Sequence, residues 1–112
     1  MATYVAVLLA ESRVSGADGA IGAEPLYQES FVLLRADGAE DAREKAGAHG
    51  RGQQTAYVNA EGNTVSWTHK AVVDVSEVLD ADLGDGAELY ARHFRNYQAY
   101  QAFEPLLSGE DI

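Results

Sequence analysis

Three histidines, at 49, 69 and 93, are the residues of this chain best suited to metal or proton chemistry. Zinc needs three or four converging His, Cys or acidic ligands. These three fall on separate predicted elements without paired spacing, and the chain has no cysteine at all. His69 reads as a half-buried imidazole on a strand, His49 as a helix-end residue suited to the dipole, and His93, beside Arg92 and Arg95, as a surface residue. A calcium loop is the next candidate, because Asp80, Asp82, Asp85 and Glu88 crowd into nine residues. An EF-hand loop requires glycine at its sixth position and glutamate at its twelfth. Counted from Asp80, those positions hold Asp85 and Ala91, so the register fails and a solvated turn is expected. No serine stands in a Gly-x-Ser-x-Gly context, which leaves nucleophilic catalysis without a signal. The glycines of Ser15–Pro25 precede a strand and not a helix, the wrong setting for a phosphate cradle.

The elements that would position these residues are legible from periodicity. Tyr4–Ser12 and Leu26–Arg35 read as strands joined in an antiparallel hairpin. Asp37 then resembles an N-cap with Glu40 as its capping-box partner, opening a helix that runs to about His49. Ala39, Ala42 and Ala46 form an alanine stripe by which this helix would lie against a sheet. Tyr57-Val58, the turn Asn59–Asn63 and a long strand from Val65 follow. Along that strand the odd positions Val65, Trp67, His69, Ala71, Val73 and Val75 alternate with Ser66, Thr68, Lys70, Val72, Asp74 and Ser76, which predicts one buried face with Trp67 as a core anchor and one mostly wet face. Glu88–Phe94 reads equally as a short edge strand or a helix start. Tyr90, Phe94, Tyr97, Tyr100, Phe103 and Leu107 recur at steps of three and four, predicting an amphipathic C-terminal helix ending near Pro105, with a frayed tail after it.

At 112 residues the chain fits one domain, 1–112. Its net charge of −10 is uneven, residues 71–112 holding nine acids against two arginines. Such a field repels phosphate backbones, so no nucleic-acid partner is expected, and a basic protein partner is favoured. The apolar run Val5–Ala10 is too short for a signal-peptide core, and no stretch approaches a membrane span. The expectation is a cytoplasmic protein without membrane association and without a cofactor.

Several short motifs occur in a fixed order: Leu26-Tyr27-Gln28-Glu29-Ser30, the helix Ala39–Ala46, Tyr57-Val58-Asn59 with Gly62, Val65 and Trp67, Asp74-Val75, and Asp85–Phe94. In order and spacing this resembles the bacterial domain-of-unknown-function family 4288, over about residues 4–94. The glycine-rich loop and the aromatic tail after Arg95 depart from it, so 95–112 is an extension of a family-like core. The resemblance implies a compact α+β domain and brings over no catalytic residue.

The expected fold is therefore α+β: an antiparallel sheet in ββαββ order, one helix packed on it, and a C-terminal aromatic helix. The expected function is that of a non-catalytic protein-binding or accessory module, of which immunity or antitoxin proteins are one kind. A small enzyme or biosynthetic accessory with an unrecognised site is the alternative, and a weak divalent-cation binder the third. The candidate contact surface combines Asp82, Asp85 and Glu88 with Tyr90, Phe94, Tyr97 and Tyr100, since tyrosine gives large contact area at low entropic cost. Val72 and Val78, on the nominally wet parity, together with a free sheet edge, add the expectation of a homodimer.

Overall fold

The computed structural model of the chain describes residues 1–16, 24–80 and 82–108. Most of the glycine-rich loop, and the tail beyond Ser108, lie outside them. Four strands, β1 (Ala2–Ser15), β2 (Leu26–Ala36), β3 (Thr55–Val58) and β4 (Thr64–Glu77), form one antiparallel sheet in the order β2-β1-β4-β3. A helix, α1 (Ala39–Gly52), packs on one face, and two short helices follow, α2 (Tyr97–Phe103) and α3 (Pro105–Ser108). Among the described residues no helix is long and apolar enough to cross a membrane.

The central strand explains the core. Tyr4 to Leu8 are all buried, so β1 is covered on both faces of the sheet. Its even residues meet α1: Tyr4 packs with Ala36 and Ala42, and Ala6 and Leu8 pack with Ala46. Small residues at 42, 46, 47 and 50 are what the helix buries, and their size lets its backbone lie close to the strands. Ala39, expected in the same stripe, opens the first turn and is exposed.

The helix start also differs from expectation. Gly38 is the N-cap, without a side-chain cap. The reciprocal bond is made by Asp41, whose Oδ2 accepts from the backbone N–H of Asp37 at 3.0 Å. Glu40 and Asp41 in the first turn, and His49 and Arg51 in the last, still suit the helix dipole.

The strict alternation predicted along β4 is broken twice. Val7 pairs with Asp74 but Leu8 with Val72, and Leu9 pairs with Ala71 but Ala10 with His69. Val73 and Lys70 are thus extra residues, each a β-bulge that resets the parity. Val65, Trp67 and His69 keep the α1 side, then Val72 takes it over and joins the core around Ala46, as does Val75 after the second bulge. Ala71 and Val73, expected inside, are exposed. Val78, expected on the wet side, is buried, and its N–H donates to Thr3 O at 2.8 Å. Trp67 is only half-buried. It pairs with Ser12, one step past the end of α1, so the helix never covers it.

The β3–β4 turn follows the sequence closely. Asn59 Oδ1 accepts from the N–H groups of Glu61 and Asn63, both at 3.0 Å, and Gly62 takes the positive φ of 82° that the turn needs.

Candidate functional site

The face of the sheet opposite α1 is built from the odd residues of β1 and their partners. Val7 lies between Phe31 and Asp74 in register and is fully buried. The cover comes from the segment after the acidic turn, which crosses this face as extended chain, neither strand nor helix. Tyr90 is its centre. Its hydroxyl donates to Asp74 Oδ2 at 2.6 Å, and its ring lies 5.6 Å from that of Phe31. It touches both register partners of Val7 and so closes over that side chain. Arg92 stands over the Tyr90 ring, 6.0 Å from its centroid. The Tyr90 hydroxyl holds the Asp74 carboxyl below its ordinary value, and Asp74 in turn raises the Tyr90 phenol.

A second carboxylate–tyrosine set occupies the far end of the same face. Glu11 is buried, receives Arg13 Nε at 2.9 Å and has Lys70 Nζ at 3.8 Å. Hydrogen bonds from Arg13, then from Tyr27, hold its carboxyl below the usual range, and Glu11 raises the Tyr27 phenol. Lys70 is the extra residue of one β4 bulge. Both acids are engaged as acceptors with their partners in place, an arrangement that ties strands and segment together.

Beyond Arg92 the chain leaves the sheet. The Asn96 side chain accepts from Ala99 N–H at 3.0 Å and starts α2. Glu104, extended before Pro105, ends it after seven residues. The C-terminal helix expected from the aromatic spacing ends where it was expected, before Pro105, but begins only at Tyr97, and among the described residues its backbone lies close to α3 and to no strand. Phe94 folds back onto Tyr100 in a stacked pair, centroids 4.6 Å apart.

The seven residues singled out in the sequence are thus divided. Tyr90 belongs to the sheet face. Phe94, Tyr97 and Tyr100 form an aromatic arm and are exposed, Tyr97 at 59%. Asp82, Asp85 and Glu88 are exposed on the turn before it, where Asp80 Oδ2 accepts the Glu88 backbone N–H at 2.8 Å. Among the described residues no three or more His, Cys, Asp or Glu converge as a metal site. His93 is exposed, whereas His49 and His69 line one groove at the end of α1 together with Trp67 and three glutamines. That grouping has no local sequence signal, because only the β1–β4 pairing brings its parts together.

One family model, a domain of unknown function (DUF4288), matches the chain over residues 3–91. This chain belongs to the DUF4288 family. No curated protein and no solved structure matches it. The DUF4288 match ends at Ala91, so the Tyr90–Asp74 contact lies within the family domain and the aromatic arm outside it.

Proposed function

We propose that this DUF4288 chain is a protein-binding module and that its aromatic arm, with the acidic turn before it, is the contact surface. The observation that carries the reading is that, among the described residues, the α2 backbone lies close to no strand while its aromatic side chains face solvent: Tyr97 at 59% and Phe103 at 73% exposed. Aromatics needed for the core would be inside, and clustered exposed ones mark interaction surfaces. Asp82, Asp85 and Glu88 beside the arm would steer a basic partner and raise its on-rate.

The test is the double variant Tyr97→Ala/Tyr100→Ala, compared with wild type in pull-downs from the native host. Partner recovery is expected to fall at least about tenfold, as for loss of a two-residue hot spot, while the melting temperature holds. A drop of several degrees in melting temperature with recovery unchanged would mean that the arm is structural, and the reading would be dropped.

A second reading, self-association, rests on a different feature. β2 is an edge strand of 11 residues with Leu26, Tyr27, Phe31 and Leu33 exposed. Antiparallel pairing with a second copy about Val32 would set Glu29 opposite Arg35 and Phe31 opposite Leu33. Such pairing extends the sheet and removes a long unpaired edge. Light scattering at tens of micromolar should give the mass of a dimer, with Glu29→Arg and Arg35→Glu each giving monomer and the double exchange restoring the dimer. A monomeric wild type ends this reading.

A further inference from the structure

The face of the sheet that carries α1 is only half covered. Among the described residues, the helix lies over Tyr4 to Leu8 and stops at Gly52, and past it the sheet is open. A groove of about 540 Å³ remains there, walled by the last turn of α1 and Gln53–Thr55 on one side and floored by β1, β2 and β4. That volume lies within the range of sites for small organic ligands.

Its chemistry is unusual for this chain. In a protein in which 23% of residues are charged, none of the thirteen described residues lining the groove is Asp, Glu, Lys or Arg. A phosphate would meet no cation there, would face the C-terminal end of a helix, and would enter a molecule of net charge −10. A metal ion or an ammonium group would meet no carboxylate. The groove offers instead a half-buried tryptophan, two imidazoles and the side chains of Gln28, Gln53 and Gln54. Gln54 is already engaged, its Oε1 accepting from His69 N–H at 3.0 Å. Gln28 and Gln53 are exposed at the rim.

A glutamine amide carries a donor and an acceptor side by side, the pattern that pairs bidentately with the N6/N7 edge of adenine. Nucleobases taken out of a stack are held between aromatic faces, each stacking contact contributing about 1–3 kcal/mol. We propose that this groove binds an uncharged adenine-type heterocycle, as free base or unphosphorylated nucleoside, stacked on Trp67 with its edge met by Gln28 or Gln53. Gly50 sets the geometry. A Cβ there would come within 2.5 Å of His69 Cε1, so only glycine lets the helix seat that ring as the groove wall. The site is on the opposite face of the sheet from the Tyr90 segment, so it stands or falls independently of the arm.

Trp67 is the chain's single tryptophan, and its emission excited at 295 nm reports on the groove directly. The full chain is titrated with adenine, adenosine and adenosine monophosphate, by emission and in parallel by calorimetry. Saturable binding of adenine and adenosine is expected, with the monophosphate at least about tenfold weaker. Gln28→Ala combined with Gln53→Ala, both at exposed positions, should weaken adenosine about tenfold, the loss expected for one neutral hydrogen bond, at an unchanged melting temperature. Absence of saturable binding by either method up to millimolar ligand would overturn the proposal. So would a monophosphate that binds as tightly as adenosine, or an affinity untouched by the double glutamine variant.

Discussion

Gly50→Val is expected to destabilise the protein by about 3 kcal/mol, the upper part of the range for forcing atoms into a packed contact. The nearest atoms to a Cβ at this position are His69 Nδ1, Cε1 and, at 2.9 Å, Cγ. Because Cγ is close as well as the ring edge, turning the imidazole about its own axis does not relieve the overlap; the ring must swing away or the helix must lift. Propensity acts in the opposite direction, since replacing a helical glycine by alanine gains up to about 1 kcal/mol. Gly47 isolates that gain. A Cβ there meets only the tip of Arg51, Nη1 at 3.1 Å, which can move aside, so Gly47→Ala should stabilise slightly. Opposite signs at two glycines one turn apart would locate the close approach at Gly50. Urea midpoints of the single variants and of Gly50→Val/His69→Ala test this, because truncating His69 should recover much of the loss. If Gly50→Val unfolds at the wild-type midpoint, the helix does not seat on that ring.

How much of this was legible in the sequence depends on how local the cause is. The β1–β2 hairpin, the alanine face of α1 and the Asn59–Gly62 turn are set by neighbours within a few residues, and each is where its pattern points. The bulges at Lys70 and Val73 are set by a strand some 60 residues away, so alternation read along β4 alone put Val72 outside and Val73 inside. The C-terminal aromatics misled for a related reason. Their three-and-four spacing is helical, but Tyr90 is bound by Asp74 and Phe31 on the sheet, so the helix starts only at Tyr97, while its end before Pro105 is where it was expected. Tertiary contact overrode local period. Within the candidate site, the exposed acids and the arm were visible as composition, whereas the division between Tyr90 and the other aromatics was not. The uncharged groove was invisible altogether, because it is defined by where α1 ends over the sheet.

Tyr90→Ala should cost about 3 kcal/mol, near the lower limit for truncating an aromatic in a core, since Tyr90 is half-buried. The ring packs on Phe31 and its hydroxyl reaches Asp74, the two register partners of the fully buried Val7, so its removal would open that face of the sheet to water. Tyr90→Phe separates the hydroxyl from the ring. Phenylalanine keeps the contact with Phe31 but withdraws the 2.6 Å bond from Asp74, which should cost about 1.5 kcal/mol, as for a hydrogen bond to a charged acceptor. That part depends on pH in a defined direction. Asp74 titrates lower in the folded chain than its ordinary value because Tyr90 donates to it. Its contribution is therefore present above the unfolded carboxylate value, about 4, and is lost as pH falls through the lower folded value. Tyr90 is raised by the same bond, so its contribution holds below about 10 and fades as pH climbs through the raised value. The stability gap between wild type and Tyr90→Phe should thus be flat from about pH 5 to 9 and close toward pH 3, measured by denaturant unfolding at each pH. The gap for Tyr90→Ala should keep its apolar part at pH 3. A Tyr90→Phe gap that is zero at neutral pH would show that the hydroxyl bond adds nothing, and one that persists unchanged at pH 3 would show that Asp74 is not its acceptor. Hydrogen exchange adds the link to function: with Tyr90 gone, amides of 87–94 should exchange faster, and the arm that follows would lose its anchor on the family domain.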